Sequence, residues 1–262
     1  MRPRSIVLDL CGDYIRYHGG SISLGGMTRL LGAFDVTQDN VRVVMSRLRR
    51  EGFFETQRNG RHTRYEITPA TLQMLDEGRD RIFSRSKEPW DGNWHMVIYQ
   101  VPESARASRE RLRKELSWLG FGPLAASTWL SAHPRRAQVT ALFTAEAEAR
   151  VDQLTARSQG IAEDRALAAR CWDLGQLAAD YEAWIGQWAG HADVPPDDQA
   201  ALVTRVHLVY SYRKFPFSDP DLPAELLPDD WPGARAHELF LALYEALAGP
   251  AQRYYSHVAA GG

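Results

Sequence analysis

The dipeptide Asn59-Gly60 lies between two alternating segments, Phe53 to Arg58 and His62 to Ile67, and constrains the local fold more than any other feature of this chain. A type I′ turn needs positive φ at both central residues, which Asn and Gly adopt at little cost, so the two segments are predicted to pair as a β-hairpin. The residues ahead of it run in helical rhythm. Val41, Val44, Met45 and Leu48 recur at i, i+3, i+4 and i+7, turning one stripe inward, and Thr37 stands where a hydroxyl caps a helix start. Further upstream, Ser5 to His18 carries Ile6, Val7, Leu10, Tyr14 and Ile15 at helical spacing and stops at Gly19-Gly20. Extended Ser21-Ile22-Ser23 then leads into a short helix marked by Met27, Leu30 and Leu31 that ends near Gly32, and Phe34-Asp35-Val36 forms the turn before the next helix. The predicted order is helix, helix, turn, helix, hairpin.

Charge is distributed unevenly over these elements. Residues 1 to 87 hold 15 Lys and Arg against 10 Asp and Glu, and the remainder holds 16 against 23, so the overall net charge of −2 conceals a basic N-terminal third. Seven arginines (Arg42, Arg47, Arg49, Arg50, Arg58, Arg61 and Arg64) face only Glu51 and Glu55 between residues 42 and 64, a density that suits phosphate contact. On the third helix Thr37, Gln38, Asn40, Arg42, Ser46, Arg49 and Arg50 fall outside the apolar stripe, and their polar groups can meet base edges or phosphate oxygens. Arg58, Arg61, His62 and Arg64 gather around the hairpin tip, which in a winged helix-turn-helix lies along the DNA backbone or enters a minor groove. A winged helix-turn-helix that binds double-stranded DNA is therefore predicted, with its recognition helix at Thr37 to Arg50.

A length of 262 residues and a hydrophobic content of 44% lead to an expectation of two or three packed domains. Thr68 to Ser86 has the pattern of a linking helix, interrupted near Gly78 and closed by Pro89-Trp90-Asp91-Gly92, so residues 1–88 form the DNA-binding domain with its linker helix. Strand Trp94 to Val101, helix Ser104 to Leu119, two short extended pieces within Pro123 to Ala132, a helix after Pro134 and the alternating stretch Arg150 to Arg157 spell βαββαβ. That is a ferredoxin-like domain over residues 89–160. Residues 161–262 carry helices rich in Trp, Leu and Tyr as far as Gly249, interrupted by Val194-Pro195-Pro196-Asp197 and by the loop Phe215 to Pro232, and are expected to form a mainly helical third domain. The fold class is α+β, multidomain.

Cys11 and Cys171 lie far apart in apolar patterns and show no disulfide framework; the apolar setting of Cys171 beside Trp172 raises its pKa, Cys11 lies on a core helix, and neither is placed as an activated nucleophile. The eight histidines, at 18, 62, 95, 133, 191, 207, 237 and 257, show no ligand spacing, so no metal and no catalytic residue is expected. No run approaches the about 18 apolar residues of a membrane span, and Met1-Arg2-Pro3-Arg4 has no apolar leader core, so a cytoplasmic protein without a membrane partner is expected.

Several segments resemble, in order, those of the PaaX family of repressors. They are Gly12-Asp13-Tyr14, Gly19-Gly20 with Leu24-Gly25, Val41-Arg42, Arg47-Leu48 before Glu51-Gly52, and Gly60-Arg61 in the N-terminal part. Trp90-Asp91-Gly92-Asn93-Trp94, Pro102-Glu103, Leu119-Gly120-Phe121-Gly122, Trp172-Asp173-Leu174, Arg213-Lys214-Phe215-Pro216-Phe217, Asp219-Pro220-Asp221-Leu222-Pro223 and Leu226-Leu227-Pro228 continue the likeness along the chain. The resemblance implies a homodimeric transcriptional repressor of aromatic-acid catabolism of the phenylacetate type, not an enzyme. It further implies release from operator DNA by an aryl-coenzyme A effector such as phenylacetyl-CoA, with no resident cofactor.

Such an effector needs an apolar slot for its acyl end and cations for its phosphates. Tyr212, Arg213, Lys214 and Phe215 concentrate both, and Arg135-Arg136 supplies a second cationic pair. The same residues also fit a packed loop, with Phe215 and Phe217 as core anchors and Arg213 or Lys214 paired to Asp219 or Asp221. A rival class is a winged-helix protein whose middle domain serves assembly or metal-dependent nucleic-acid cleavage, since that domain also resembles the small nuclease fold of CRISPR adaptation. Its first strand ends Tyr99-Gln100-Val101-Pro102-Glu103 with no aspartate at the strand end, and Glu103 suits a helix start through the helix dipole.

Overall fold

The computed structural model describes residues 1–59, 62–85, 89–146, 149–191 and 197–260, apart from the side chains of Arg58, Asn59, His62 and Ala260. Helix α1 (Pro3–Asp13) opens on a proline, whose fixed φ suits a first helical position, and buries Ile6, Val7, Leu10 and Cys11. It is shorter than the expected Ser5 to His18. Tyr14 leaves helical geometry at φ −133° and ψ −62°, and a 3₁₀ turn, Ile15–Tyr17, follows. Packing explains the break, because the Tyr14 ring is fully buried and stacks on Tyr255 at 5.0 Å between centroids.

Strand β1 (Ser21–Ser23) runs into α2 (Leu24–Gly32), where Ser23 Oγ accepts from the Gly26 N–H at 3.0 Å, and α3 (Gln38–Arg50) follows a turn in which Asp35 has φ 58°. Strands β2 (Phe54–Asn59) and β3 (His62–Ile67) pair antiparallel, β1 adds to β3, and the sheet order is β1-β3-β2. Ile22 and Thr56 both face Tyr65 across the ladders, Phe54 faces Ile67, and the alternation turns Tyr65 and Ile67 inward. Asn59, expected at the centre of a type I′ turn, is instead the last residue of β2 and pairs with His62, because the ladder runs one residue further than the alternation suggested; Gly60 and Arg61 lie outside the described residues. Helix α4 (Pro69–Phe83) is capped by Thr68, whose Oγ1 accepts from the Thr71 N–H at 3.3 Å and donates to the Gly52 carbonyl at 2.8 Å. Contrary to the expected interruption, α4 is continuous through Gly78. A glycine there costs about 1 kcal/mol of helix stability relative to Ala, too little to break a helix whose Phe83 is held against Phe240 and Tyr244.

The next segment shows the anticipated element order β4 (Trp94–Gln100), α5 (Arg106–Trp118), β5 (Gly122–Ala125), β6 (Thr128–Ser131), α6 (Arg136–Thr144) and β7 (Arg150–Ala156). The strands form a sheet of order β5-β6-β4-β7 with every neighbour antiparallel, Val97 lying opposite both Trp129 and Gln153. Period-two alternation along β4 serves both faces. Val97 and Tyr99 join Leu112, Leu116, Phe121, Trp129, Val139 and Phe143 in one core, and Trp94 joins Leu130, Ala168, Cys171 and Leu226 in the other. The second core is closed by α7 (Ile161–Cys171), which is pinned where Trp94 Nε1–H donates to buried Asp164 at 2.7 Å.

Among the described residues four α-helices follow: α8 (Leu174–Trp188), α9 (Asp198–Tyr212), α10 (Pro232–Ala246) and α11 (Ala248–Ala260). Helix α11 lies beyond the expected limit at Gly249. Gly249-Pro250, which has the composition of a stop, instead occupies its first turn, where a proline sacrifices no intrahelical hydrogen bond. The described chain divides into two compact units. One comprises 1–84, 184–213 and 235–262, and the other comprises 85–183 and 214–234. In the first, α9 and α11 close over the N-terminal helices: Arg29 donates through Nε and Nη2 to the Val258 carbonyl at 3.2 and 3.0 Å. Arg205 donates to the Tyr14 hydroxyl at 2.9 Å and lies 3.7 Å above the Tyr244 ring. Among the described residues no helix is long and apolar enough to cross a membrane.

Candidate nucleic-acid interface

Helix α3 is held by its own sequence. Thr37 sits in extended geometry and its Oγ1 accepts from the Asn40 N–H at 3.4 Å, and Val41, Met45 and Leu48 are fully buried. Arg47, Arg49 and Arg50 occupy the last turn, where cations complement the helix dipole. The opposite side is open. Thr37, Gln38, Asn40, Arg42, Arg49 and Arg50 are exposed and Ser46 is half-buried, so the structure brings these seven predicted residues together on one accessible helix.

Their electrostatic states differ. Arg42 Nη1 lies 3.1 Å from Asp39 Oδ1, an exposed pair of small net worth. Arg47 Nε donates to Glu51 Oε1 at 2.8 Å, and Arg4 pairs with the other oxygen of Glu51. The two guanidinium groups, Arg4 first, hold the Glu51 carboxyl below the usual carboxylate range. Among the described residues Arg49 and Arg50 have no side-chain partner, which leaves two cations on the exposed surface that no described group neutralises. On the hairpin, Arg64 is exposed and donates through Nε to Ser21 Oγ at 2.7 Å. Arg61 and the side chains of Arg58 and His62 lie outside the described residues.

One residue of this surface was not anticipated. Val43 is 68% exposed on α3. Its signal was present in the sequence, as a valine outside the i, i+3, i+4, i+7 stripe.

The other predicted cluster, at residues 212 to 215, is placed differently. Tyr212 is buried, stacks on Phe240 at 4.2 Å and shares a 3.1 Å hydrogen bond with His237 Nδ1, and Phe215 is buried against Tyr181 at 3.9 Å. Lys214 is exposed and Phe217, expected as a core anchor, is 64% exposed with its ring 4.8 Å from that of Trp118. The carboxylate beside Arg213 is Asp9, 3.0 Å from Nε, rather than Asp219 or Asp221. Asp219 instead accepts from Arg85 at 2.8 Å and from the Tyr181 hydroxyl at 2.5 Å. The Asp9–Arg213 contact is an ion pair without hydrogen-bond alignment, and Asp9 Oδ2 has no partner among the described residues. Burial therefore outweighs the nearby cation and lifts the Asp9 carboxyl to about 7. Arg135 is half-buried and Arg136 exposed at the start of α6. Both thiols are buried, and burial pushes Cys11 well above the ordinary range and Cys171 up to about 11.

Residues 2–71 match the family described as PaaX-like protein, residues 87–168 the PaaX protein central Cas2-like domain, and residues 172–257 the PaaX-like protein C-terminal domain. The chain belongs to the PaaX family. This PaaX-family protein is 29% identical over 262 residues to the Transcriptional repressor PaaX of Escherichia coli (strain K12), spanning 96% of its own chain and 82% of that relative. Its kinship is with a regulator rather than an enzyme. Its fold is similar to the solved structure of the Uncharacterized protein Rv0674 from Mycobacterium tuberculosis, with a TM-score of 0.66, 25% identity and coverage of 97% of each chain.

Proposed function

We propose that this PaaX-family protein is a homodimeric, cytoplasmic transcriptional repressor whose first 88 residues bind operator DNA as a winged helix-turn-helix. Helix α3 enters the major groove and the β2–β3 hairpin lies against the phosphate backbone. The observation that carries this function is the open face of α3, where Arg49 and Arg50 have no side-chain partner among the described residues and stand beside polar Gln38, Asn40 and Ser46. Cations of this kind neutralise phosphates and release counterions, giving affinity that falls steeply with salt, while the amide and guanidinium groups can read base edges.

Residues 89–160 act as a ferredoxin-like middle domain and residues 161–262 supply the helical remainder. The effector class we propose is the one that the resemblance implies, an aryl-coenzyme A thioester of an aromatic acid such as phenylacetate, with no resident cofactor. Its phosphates would be met by Arg135, Arg136 and Lys214, which are exposed or half-buried, whereas Tyr212, Arg213 and Phe215 act through packing and the ion pair with Asp9. Release requires that the thioester bind the DNA-incompetent form of the dimer more tightly, each tenfold of preference supplying about 1.4 kcal/mol.

The test is a gel shift of the full chain on its own upstream DNA, with competitor DNA, graded salt and a panel of aromatic acyl-CoA thioesters. A specific, salt-sensitive shift abolished by one thioester is the expected result. A specific shift indifferent to every thioester removes the effector and keeps the repressor, and binding that never discriminates operator from competitor overturns the function.

A further inference from the structure

Residue Val43 is 68% exposed, the highest value among the large hydrophobic side chains on the described surface. Its position on α3 is the reason to look at it. Successive residues of an α-helix step by 3.6 per turn, which puts Val43 directly opposite the buried stripe of Val41, Met45 and Leu48 and on one line with Asp39, Ser46 and Arg50. The centre of the helix face that points away from the core is thus apolar, while the groups around it are polar or charged. Asp39, one turn ahead of it, pairs at 3.1 Å with the adjacent Arg42, Arg47 is drawn to Glu51, and Arg50 lies two turns on.

Nothing in the fold accounts for a branched aliphatic side chain there. Val43 gains no burial, and β-branching makes it a poorer helix former than the Ala, Lys or Gln that an exposed position admits. A surface that complements this face offers an apolar group at the centre of an otherwise polar field. The major groove of DNA has one such group, the 5-methyl of thymine, set among hydrogen-bonding base edges and flanked by phosphates. We infer that Val43 is a specificity-determining residue that packs against a thymine 5-methyl group at the centre of the half-site. This rests on α3 being the DNA-reading helix.

The test uses the full chain and duplexes that the wild type enriches from a random-sequence library. In a second set each thymine in turn is replaced by deoxyuridine, which removes the methyl and leaves every hydrogen-bonding group of the base pair in place. At one thymine, replacement is expected to weaken wild-type binding about fivefold, and Val43→Ala to weaken binding of the unmodified duplex by about the same factor. The two effects should not add, because either change alone already separates the valine from the methyl. Ala is the better helix former, so an unchanged thermal midpoint for Val43→Ala shows that the weaker binding is not a failure to fold. Additive effects, or deoxyuridine duplexes that bind the wild type unchanged, overturn the assignment of Val43 and leave the DNA-binding function standing. Failure to enrich any sequence overturns that function and the assignment together.

Discussion

At the scale of single residues, Arg42 and Arg50 differ in what they are free to do. Arg42 is engaged by Asp39, whereas Arg50 has no partner among the described residues. Replacing Arg50 by Ala is expected to weaken binding to all sequences alike and to lower the slope of log affinity against log salt by about 1. Titrations at four or five salt concentrations decide it, since an unchanged slope removes Arg50 from the phosphate contacts. For Arg42→Ala the expected loss is selective, about 1 to 3 kcal/mol at one base pair, if its guanidinium reads a guanine. Asp9 carries a prediction about stability. Its folded pKa of about 7 lies above the ordinary 3.8, so the folded state holds this proton more tightly than the unfolded one. The associated stabilisation is full below about pH 4 and disappears as pH rises to about 7. Urea midpoints of the wild type should therefore fall relative to those of Asp9→Asn across that interval, and parallel curves would show that Asp9 ionises normally.

At the scale of elements, the close seat of β5 on the end of α7 depends on Gly122. A Cβ at that position would stand 2.5 Å from Trp172 Cε2 and 2.8 Å from Cys171 Cβ, distances that force ring or backbone to move. Gly122→Ala is expected to destabilise the fold by about 1 to 3 kcal/mol, readable as a lower urea midpoint at unchanged m-value. Much at this scale was legible in advance. The stripe of Val41, Met45 and Leu48, the Thr37 cap and the βαββαβ order from Trp94 to Ala156 all follow from short-range periodicity, and each element stands within a few residues of its predicted place. What escaped is non-local. Tyr14 ends α1 because Tyr255, 241 positions later, stacks on it, and Arg213 meets Asp9 rather than a neighbour in the chain. The helical reading ended at Gly249, whereas Gly249-Pro250 opens α11, because a proline in a first helical turn and one after a last turn have the same local composition. The candidate DNA face was read from residue type and spacing alone. Val43 was missed because apolar character by itself suggests burial, although its place outside the i, i+3, i+4, i+7 stripe marks it as exposed.

At the scale of the molecule, the unit that carries α3 is assembled from three separate stretches: 1–84, 184–213 and 235–262. Its core needs all of them, since Arg205 is buried against Tyr14 and Tyr255 stacks on the same ring. A fragment of residues 1–84 should therefore lack a cooperative thermal transition and near-ultraviolet circular dichroism. A sharp transition close to that of the full chain would show instead that the N-terminal stretch is self-sufficient. The discontinuity also sets an order in time. At about 5 to 20 residues per second of synthesis, the N-terminal stretch waits on the order of ten seconds or more for the last helices to emerge. Over that interval its arginines are already outside the ribosome while residues 184–213 and 235–262, which complete their unit, are still to be made, so the surface proposed to meet DNA is finished long after the residues that form it.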